Sequence, residues 1–410
     1  MKILICHNRY RQRSGEDIAF DFACELLAQA GHDVVTFTRE NSELDNSTFL
    51  DLAVKAVQVP YSLHSRRDVL EFARKEKPDV AIVQNVFPLL SPSIYYGLAD
   101  AGLPVIQFVF NYRMTCANGQ LYTHGEICER CIGGSHANGV LRRCYRQSFA
   151  LSALYSGTLA IHRHLNTWAK CIDLFLLPDL FKKSKLIEAG LPESKMRLIC
   201  NPFRVEDYNP SFKASNFALF AGRLIRPKGI YTLLDAALQL PEGFRVVVVG
   251  GGEEWAGVQA HSAVTHGKAS LVGEVYGDGL RDLLSACHFL TLPSEWYDCL
   301  PMIVCQAFAS GKPVVASAIN GIPEFVQHEV NGLTFRPGDA IALGKAMTRL
   351  FCDLDLHDTL SKNARQTADA MFHSRHWLEK MEVILGEAVD KKRGSVTKAG
   401  EGAIEGKGKR

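Results

Sequence analysis

The sequence has 410 residues, of which 47% are hydrophobic and 22% charged, with a formal net charge of +2. This composition excludes a fibrous or intrinsically disordered chain, and the length predicts two domains. So small an excess of positive charge gives no basis for nucleic-acid binding. The longest nearly uncharged apolar stretch, 149–161, is shorter than the roughly 20 residues of a membrane-spanning helix. The opening MKILICHNRY indicates a buried strand rather than a signal peptide, so we expect a cytoplasmic protein.

Short apolar runs alternate with amphipathic segments along most of the chain. This alternation is typical of a parallel sheet covered by helices on both faces, and it predicts a doubly wound α/β domain over residues 1–205. The Pro-containing polar segment 206–216 is the predicted linker, and a second Rossmann-like domain spans 217–372. We expect an amphipathic helix over 373–390 to return to the first domain, followed by a charged, Gly-rich, disordered tail at 391–410.

Two cations mark a predicted strand–loop–helix junction in the second domain. In FALFAGRLIRPKGI, Arg223 follows the strand and Lys228 precedes the helix. Two cations placed this way can bind a diphosphate, although cations on any surface loop would give the same pattern. Further along, LPSEWYDCLPMIVCQ places Asp298 on a strand-to-helix loop and Gln306 about two turns later. We expect both side chains to face the same cleft.

The helix predicted after Asp298 has an open N-terminus. Pro301 has no N–H group and suits the first turn, and the N–H groups of Met302 and Ile303 lack partners within the helix. A helix start of this kind, aimed into a cleft, is expected to bind phosphate.

These segments, in this order, resemble the donor site of glycosyltransferase family 4, the group 1 retaining enzymes of the GT-B fold. The resemblance rests on G-R-x4-K-G from Gly222, on the pair Asp298 and Gln306, and on Gly15 in the first loop. It extends through KPDVAIVQNVFPLLSPS, FNYRMTCANG and GIPEFVQHEVNGL, and so covers about residues 1–390. It implies two Rossmann-like domains that face each other across a cleft.

The same resemblance implies a function and residue roles. The protein would move a sugar from a nucleotide diphosphate sugar to a glycan or lipid-linked acceptor, for example in polysaccharide biosynthesis, without a catalytic metal or other cofactor. Arg223 and Lys228 would stabilise the departing diphosphate, and Asp298 would act near the transferred sugar. The other donor-binding positions that the resemblance implies are Gly15, Gly222, Gly273, Leu300, Met302, Ile303 and Gln306.

Four positions depart from the family pattern. Asp298 is shorter than the Glu often found there, and Gln306 replaces the usual second acid. Gln84 and Phe110 stand where histidines are common, so Phe110 removes a polar group near the donor sugar. A non-catalytic nucleotide-sugar or glycan-binding protein on the same fold is therefore the alternative. A GT-B epimerase or phosphorylase is a third reading, but no motif indicates a lysine that would hold pyridoxal phosphate.

Four of the twelve cysteines are close in sequence and are here named the cysteine cluster: Cys116, Cys128, Cys131 and Cys144. Four thiolates with one C-x2-C pair can form a tetrahedral structural zinc site, although such sites usually contain two close pairs. Reduced loop cysteines and a redox pair remain alternatives. A metal here would hold a loop on the acceptor side.

Three arginines, Arg142, Arg143 and Arg146, precede an apolar stretch that contains Tyr155 and Trp168. A helix in peripheral contact with the inner face of the membrane has this pattern. A groove that binds a lipid-linked acceptor has it too. A core helix with a solvated basic start has the same pattern, so both interpretations stay open.

Overall fold

The computed structural model describes residues 1–45 and 48–405, with side chains apart from those of 49, 53 and 393–405. Its strands form two six-stranded parallel sheets and one short hairpin. The strands of the first sheet are β1 (Lys2–Arg9), β2 (Asp33–Glu40), β3 (Val80–Val83), β4 (Val105–Phe108), β7 (Leu174–Leu177) and β8 (Met196–Leu198), and the hairpin is β5 (Tyr122–Thr123) with β6 (Glu126–Ile127). The strands of the second sheet are β9 (Phe217–Ala221), β10 (Arg245–Val249), β11 (Ala269–Gly273), β12 (Phe289–Leu292), β13 (Val314–Ser317) and β14 (Gly332–Phe335).

Both sheets reverse their strand order once. The first has the order β2-β1-β3-β4-β7-β8, so the chain runs outward from β1 to β2 and then returns to the other side of β1. The second has the order β11-β10-β9-β12-β13-β14 and reverses between β9 and β12. All residues of β3, β4, β7, β12 and β13 are buried, as expected for uncharged strands covered on both faces. The prediction of two doubly wound domains is confirmed.

Helices connect the strands and cover both faces of each sheet. Those of the first domain are α1 (Gly15–Gln29), α2 (Phe49–Gln58), α3 (Leu63–Glu76), α4 (Ile94–Asp100), α5 (Ala137–Leu141), α6 (Phe149–His164), α7 (Thr167–Cys171) and α8 (Leu180–Glu188). Those that follow are α9 (Ile230–Ala237), α10 (Trp255–Gln259), α11 (Ser262–Thr265), α12 (Gly277–Ala286), α13 (Met302–Ala309), α14 (Ile322–Phe325), α15 (Ala340–Cys352), α16 (Leu354–Met371) and α17 (Ser374–Glu405).

The last helix, α17, leaves the second domain and packs on the first sheet. Its buried Trp377, Met381 and Leu385 join the apolar cluster that contains Ile3 and Ile5 of β1. The chain therefore passes between the domains twice. The two passages touch, because the Ser374 hydroxyl donates a hydrogen bond to the Glu206 carboxylate.

The structure differs from the predicted end of this helix. α17 continues past residue 390 to Glu405, whereas the sequence analysis places a disordered tail at 391–410. The segment 391–405 contains Lys, Ala and Glu, which favour helix, and its glycines cost only about 1 kcal/mol each. Residues 406–410 of the predicted tail lie outside the described residues.

Candidate active site

The candidate site lies where the second sheet reverses its strand order. β9 and β12 are parallel neighbours here, so the loops after them leave the same edge of the sheet. Open α/β sheets bind ligands outside the carboxyl ends of their strands at such a point. Arg223 and Lys228 follow β9, and Asp298 follows β12. The topology therefore brings the predicted catalytic residues to one place.

Lys228 and Asp298 form a partly buried ion pair. The Lys228 ammonium contacts Oδ2 of Asp298, and the two side chains are 16% and 10% exposed. The Ser294 hydroxyl donates a second hydrogen bond to the same oxygen, at 3.1 Å. The Asn320 side-chain amide donates to the backbone carbonyl of Asp298, and the Lys228 ammonium also lies 5.8 Å from the ring centre of Trp296. Lys228 and Ser294 thus hold the carboxylate, and Asn320 holds the backbone of the same residue.

Arg223 differs from Lys228 in its surroundings. It is exposed, and it forms no side-chain hydrogen bond or ion pair with any residue that the structure describes. Its neighbour Arg226, by contrast, pairs with Glu254, with its Nε 2.9 Å from Oε1. Arg223 is therefore unpaired within the described residues, whereas Lys228 is paired with Asp298.

Gly229 holds the two loops of the site against each other. Its φ is +69°, in the left-handed region that favours glycine. A Cβ added here would lie 1.8 Å from the carbonyl oxygen of Pro293, far inside contact distance. The loop that carries Lys228 therefore rests directly on the start of the loop that carries Asp298.

A second group of glycines supports the loop from behind, and the sequence analysis did not find it. Gly250 has φ +135°, and a Cβ added to it would lie 1.9 Å from the carbonyl oxygen of Gly222. A Cβ on Gly252 would lie 2.5 Å from the carbonyl oxygen of Leu224. Gly273, one of the predicted donor-binding positions, accepts the N–H of Gly250 at 2.7 Å. The signal was present as three consecutive glycines after FRVVVV.

The start of α13 lies at the domain interface. α13 begins at Met302, and a Cβ added at Gly15 of the first domain would lie 3.7 Å from Cγ of Met302, an ordinary contact. The Asn201 side-chain amide donates to the carbonyl of the buried Leu300, at 3.2 Å. The first residue of α13 thus lies beside Gly15.

Gln306 lies farther along α13 and contacts the linker. It is half-buried, and its side chain hydrogen-bonds the hydroxyl of Tyr208. Burial raises the pKa of Tyr208, and this hydrogen bond partly offsets the rise. The structure therefore connects Gln306 to the linker through Tyr208, and its role at the donor stays a prediction.

Comparisons with known proteins agree on one family. Residues 215–353, which contain β9 to α15, match the sequence model of the family "Glycosyl transferases group 1". Over 97% of its length the chain is 24% identical to the whole of N-acetyl-alpha-D-glucosaminyl L-malate synthase of Bacillus anthracis. An uncharacterized glycosyltransferase of Methanocaldococcus jannaschii is 26% identical over 57% of this chain and 66% of that one. The match identifies residues 215–353 as a group 1 glycosyltransferase domain.

The solved structures support the same fold. HepE of Anabaena, solved in complex with UDP, covers 94% of this chain and 100% of its own, with a TM-score of 0.67 and 17% identity. The chain therefore has the GT-B fold. The chain spans only about half the length of some of the curated relatives that it matches.

Glu324 connects the second domain to the first. Its carboxylate accepts the backbone N–H groups of Leu180 and Phe181 at the start of α8, at 2.9 and 3.0 Å. Gly321 lies beside this contact, and a Cβ added there would lie 2.6 Å from Cγ of Asp179. The sequence analysis quoted GIPEFVQHEVNGL but assigned no contact to Glu324, the first of its two glutamates.

A buried lysine lies at the same interface. Lys182 of α8 is fully buried, and its ammonium donates to the carbonyls of Val109 and Phe110, at 3.1 and 3.2 Å. Burial raises the pKa of Cys299, the neighbour of Asp298, to about 11, although the nearby Lys182 ammonium lowers it. Lys182 thus links the end of β4 to the loop that carries Asp298.

The two positions where family histidines are common take different environments. The ring of Phe110 is buried and stacks on Phe108, with ring centres 5.4 Å apart. Gln84 is 4% exposed, and neither polar atom of its amide has a hydrogen-bond partner among the described residues. Phe110 therefore contributes packing, whereas Gln84 contributes an unused polar group.

The cysteine cluster lies around the β5–β6 hairpin and α5. Asn118 joins its parts: its Oδ1 accepts from the Cys116 thiol at 3.0 Å, and its Nδ2 donates to the carbonyl of Cys144 at 3.3 Å. Burial raises the pKa of Cys131 to about 12, and the other three thiols add to the rise. Within the described residues, no group of three or more His, Cys, Asp or Glu is close enough to hold a metal ion. Zinc binding by the cluster stays a prediction.

The basic segment before α6 has a mixed environment. Tyr155 and Trp168 are buried in the core of the first domain, as the core-helix interpretation requires. Leu141 and Phe149, which flank Arg142, Arg143 and Arg146, are 78% and 59% exposed. No described helix is long and apolar enough to cross a membrane.

Proposed function

We propose that this protein is a retaining glycosyltransferase that takes its sugar from a nucleotide diphosphate donor, with uridine as the first nucleotide to test. The observation that supports this most directly is the Lys228–Asp298 ion pair beside the unpaired Arg223, at the switch point of the second sheet. The UDP complexes of HepE are consistent with this choice of nucleotide.

The ion pair suggests an order of events. A donor diphosphate meets Arg223 first and then competes with Asp298 for Lys228. Both cations, with the N–H groups of Met302 and Ile303, then stabilise the negative charge that grows on the diphosphate as the glycosidic bond breaks. Asp298, released from Lys228, faces the anomeric carbon as that carbon becomes positive.

The remaining steps of the proposal need no catalytic metal. The acceptor hydroxyl attacks from the face that the diphosphate leaves, and its proton passes to the leaving phosphate oxygen. The new bond therefore keeps the anomeric configuration of the donor. Gln306 binds the ribose hydroxyls in this proposal, through an amide that accepts more weakly than a carboxylate would.

We further propose a glycan or lipid-linked acceptor, reached from the cytoplasmic face of the membrane. The support is local: the exposed Leu141 and Phe149 lie in the same segment as the exposed Arg143 and Arg146, a combination that suits an anionic lipid surface, whereas Arg142 pairs with Glu126.

A non-catalytic binding protein is the second candidate, and Phe110 favours it. Its buried phenyl ring supplies no proton donor or acceptor at a position where the family commonly has histidine. This candidate predicts binding of a nucleotide sugar without turnover.

One experiment separates the two candidates. The protein is incubated with UDP- and GDP-sugars, with and without EDTA, and sugar release and transfer are followed by NMR. The proposed transferase hydrolyses at least one donor slowly, with EDTA having no effect and with the donor's anomeric configuration in the first-formed product. Tight donor binding with no sugar release would instead establish the binding protein.

A further inference from the structure

The two residues that flank Asp298 contact the other domain. The carboxylate of Asp298 contacts Lys228, which belongs to the second domain. Its neighbours Tyr297 and Cys299 pack against an apolar cluster of the first domain. The buried members of this cluster are Tyr112, Cys116 and Leu121. The loop that carries Asp298 is therefore attached to both domains, to the second through the carboxylate and to the first through the flanking side chains.

Three side chains of the first domain surround Tyr297 and are here named the Tyr297 socket: Tyr112, Glu129 and Phe181. The ring of Phe181 meets that of Tyr297 edge-on, with ring centres 4.7 Å apart, and the ring centre of Tyr112 lies 6.5 Å away. Edge-on aromatic pairs attract each other beyond the effect of burial alone. Burial raises the pKa of Tyr297, and the hydrogen bond that its hydroxyl donates to the Glu129 carboxylate raises it further. Tyr297 thus has apolar and polar partners across the domain interface.

Two lysines of α8 support the socket from the first domain. Nζ of Lys185 lies 2.9 Å from Oε1 of Glu129 and 5.4 Å from the ring centre of Phe181. Nζ of the buried Lys182 lies 5.6 Å from the ring centre of Tyr112. Each member of the socket therefore has a cation of α8 beside it, and the socket is fixed by contacts within its own domain.

The loop itself has little backbone bonding that could hold it in place. Between 296 and 300, the backbone N–H groups without a backbone partner among the described residues are those of Trp296, Tyr297, Cys299 and Leu300. The N–H of Asp298 bonds only within the loop, to the carbonyl of Trp296 at 2.8 Å. A segment with few backbone hydrogen bonds opens easily. Its side-chain contacts therefore decide where the carboxylate lies.

We propose that Tyr297 is a positioning residue: its ring, held in the Tyr297 socket of the first domain, fixes the loop that carries Asp298 of the second. The inference deepens the proposed function and rests on it, because it gives the first domain a part in placing the proposed catalytic carboxylate. Arg223 and Lys228 follow a different strand, so loss of the ring would leave them in place.

Turnover and donor binding should therefore respond differently to loss of this contact. A misplacement of about 1 Å can cost about 100-fold in rate. Asp298 acts in the proposal as the anomeric carbon becomes positive, so its displacement raises the barrier and affects ground-state binding much less. A residue that only stabilised the fold would affect both quantities together.

The test removes one ring from each side of the contact. Tyr297→Leu and Phe181→Leu are made singly and together, and Tyr297→Phe keeps the ring but loses the hydroxyl. Tyr61→Leu is the matched control, because this half-buried tyrosine packs on Tyr96 inside the first domain, with ring centres 5.8 Å apart. Donor hydrolysis measures turnover, and calorimetry measures the Kd for UDP.

We expect turnover to fall at least about tenfold in Tyr297→Leu and in Phe181→Leu, while the Kd for UDP changes less than about twofold. Tyr297→Phe should keep most of the turnover, and Tyr61→Leu all of it. The double variant should be no slower than the slower single variant, because both changes remove the same contact. If Tyr297→Leu does not fold, Phe181→Leu decides the test, since it leaves the second domain unchanged.

Thiol labelling adds a measurement that needs no activity. Iodoacetamide, with peptide mass spectrometry, should label the half-buried Cys299 of wild type at least about tenfold more slowly than the exposed Cys352. Phe181→Leu should speed the labelling of Cys299 and leave that of Cys352 unchanged.

Four results would each overturn the positioning role. They are full turnover in Phe181→Leu, losses that multiply in the double variant, equal losses of turnover and UDP affinity, and a wild-type Cys299 as reactive as Cys352. Failure of wild type to bind or hydrolyse any nucleotide sugar would instead count against the proposed function. The labelling would then decide whether the first domain holds the loop.

Discussion

Replacing Gly229 tests whether two loops must touch for the site to work. In Gly229→Ala the new Cβ would lie 1.8 Å from the Pro293 carbonyl oxygen, so that oxygen must move by about 1.2 Å to reach even the 3.0 Å that real Cβ atoms keep. The left-handed φ costs about 1–2 kcal/mol for alanine, and overpacking adds about 1–3 kcal/mol. We therefore expect urea denaturation to show a loss of about 2–5 kcal/mol in the free energy of unfolding.

The same displacement should affect catalysis, because Pro293 begins the loop that carries Asp298. A misplacement of about 1 Å can cost about 100-fold in rate, so donor hydrolysis by Gly229→Ala should fall by that order. Gly267→Ala is the matched control: Gly267 has φ +72°, but nothing lies within 4 Å of an added Cβ. Its free energy of unfolding should fall by only about 1–2 kcal/mol, the cost of the left-handed φ for alanine, and its activity should be unchanged. Equal stability and equal activity of the two variants would refute the reasoning.

Three further predictions concern the remaining site residues. Arg223→Ala should weaken UDP binding by about 2–4 kcal/mol in calorimetry, while Arg226→Ala, whose guanidinium pairs with Glu254, should change it little; equal effects would remove Arg223 from the clamp. Asp298→Asn should lower turnover at least about 100-fold with a smaller change in donor affinity, and full turnover by this variant would eliminate the proposed role of Asp298. Gln306→Glu should tighten donor binding and leave turnover nearly unchanged. If the cysteine cluster binds zinc, elemental analysis should find about one equivalent per chain and a strong chelator should destabilise the first domain; four freely titratable thiols without metal would exclude the site.

Much of the fold follows from local patterns in the sequence. A run such as RVVVV between Gly-containing turns strongly favours a buried parallel strand. The two sheets could therefore be predicted. The end of α17 could not be predicted, because a segment rich in Lys, Ala, Glu and Gly, such as 391–405, can form either a disordered tail or a solvent-exposed helix. Composition does not distinguish these when no apolar face is present.

For the candidate site, the sequence indicates residues that lie at the same sheet edge but not the bonds between them. Arg223, Lys228 and Asp298 were identified from their positions after strands, yet nothing in the sequence indicates that Lys228 is held by Asp298 before any ligand arrives. That pair joins residues 70 positions apart and depends on how closely Gly229 lets two loops approach. The Glu324 carboxylate at the start of α8 spans 144 positions and two domains, so no local pattern could indicate it.

The contact between Ser374 and Glu206 has a mechanical consequence. Both passages of the chain between the domains run side by side there, so the two halves are joined at one place rather than at two separated ones. Such a joint acts as a pivot: it resists sliding of one half past the other but leaves rotation open. Other hydrogen bonds connect the two domains, including those from Glu324 to α8, and these must break before the domains can rotate apart. Any ligand that needs a wider cleft would therefore have to break the Glu324 bonds to enter.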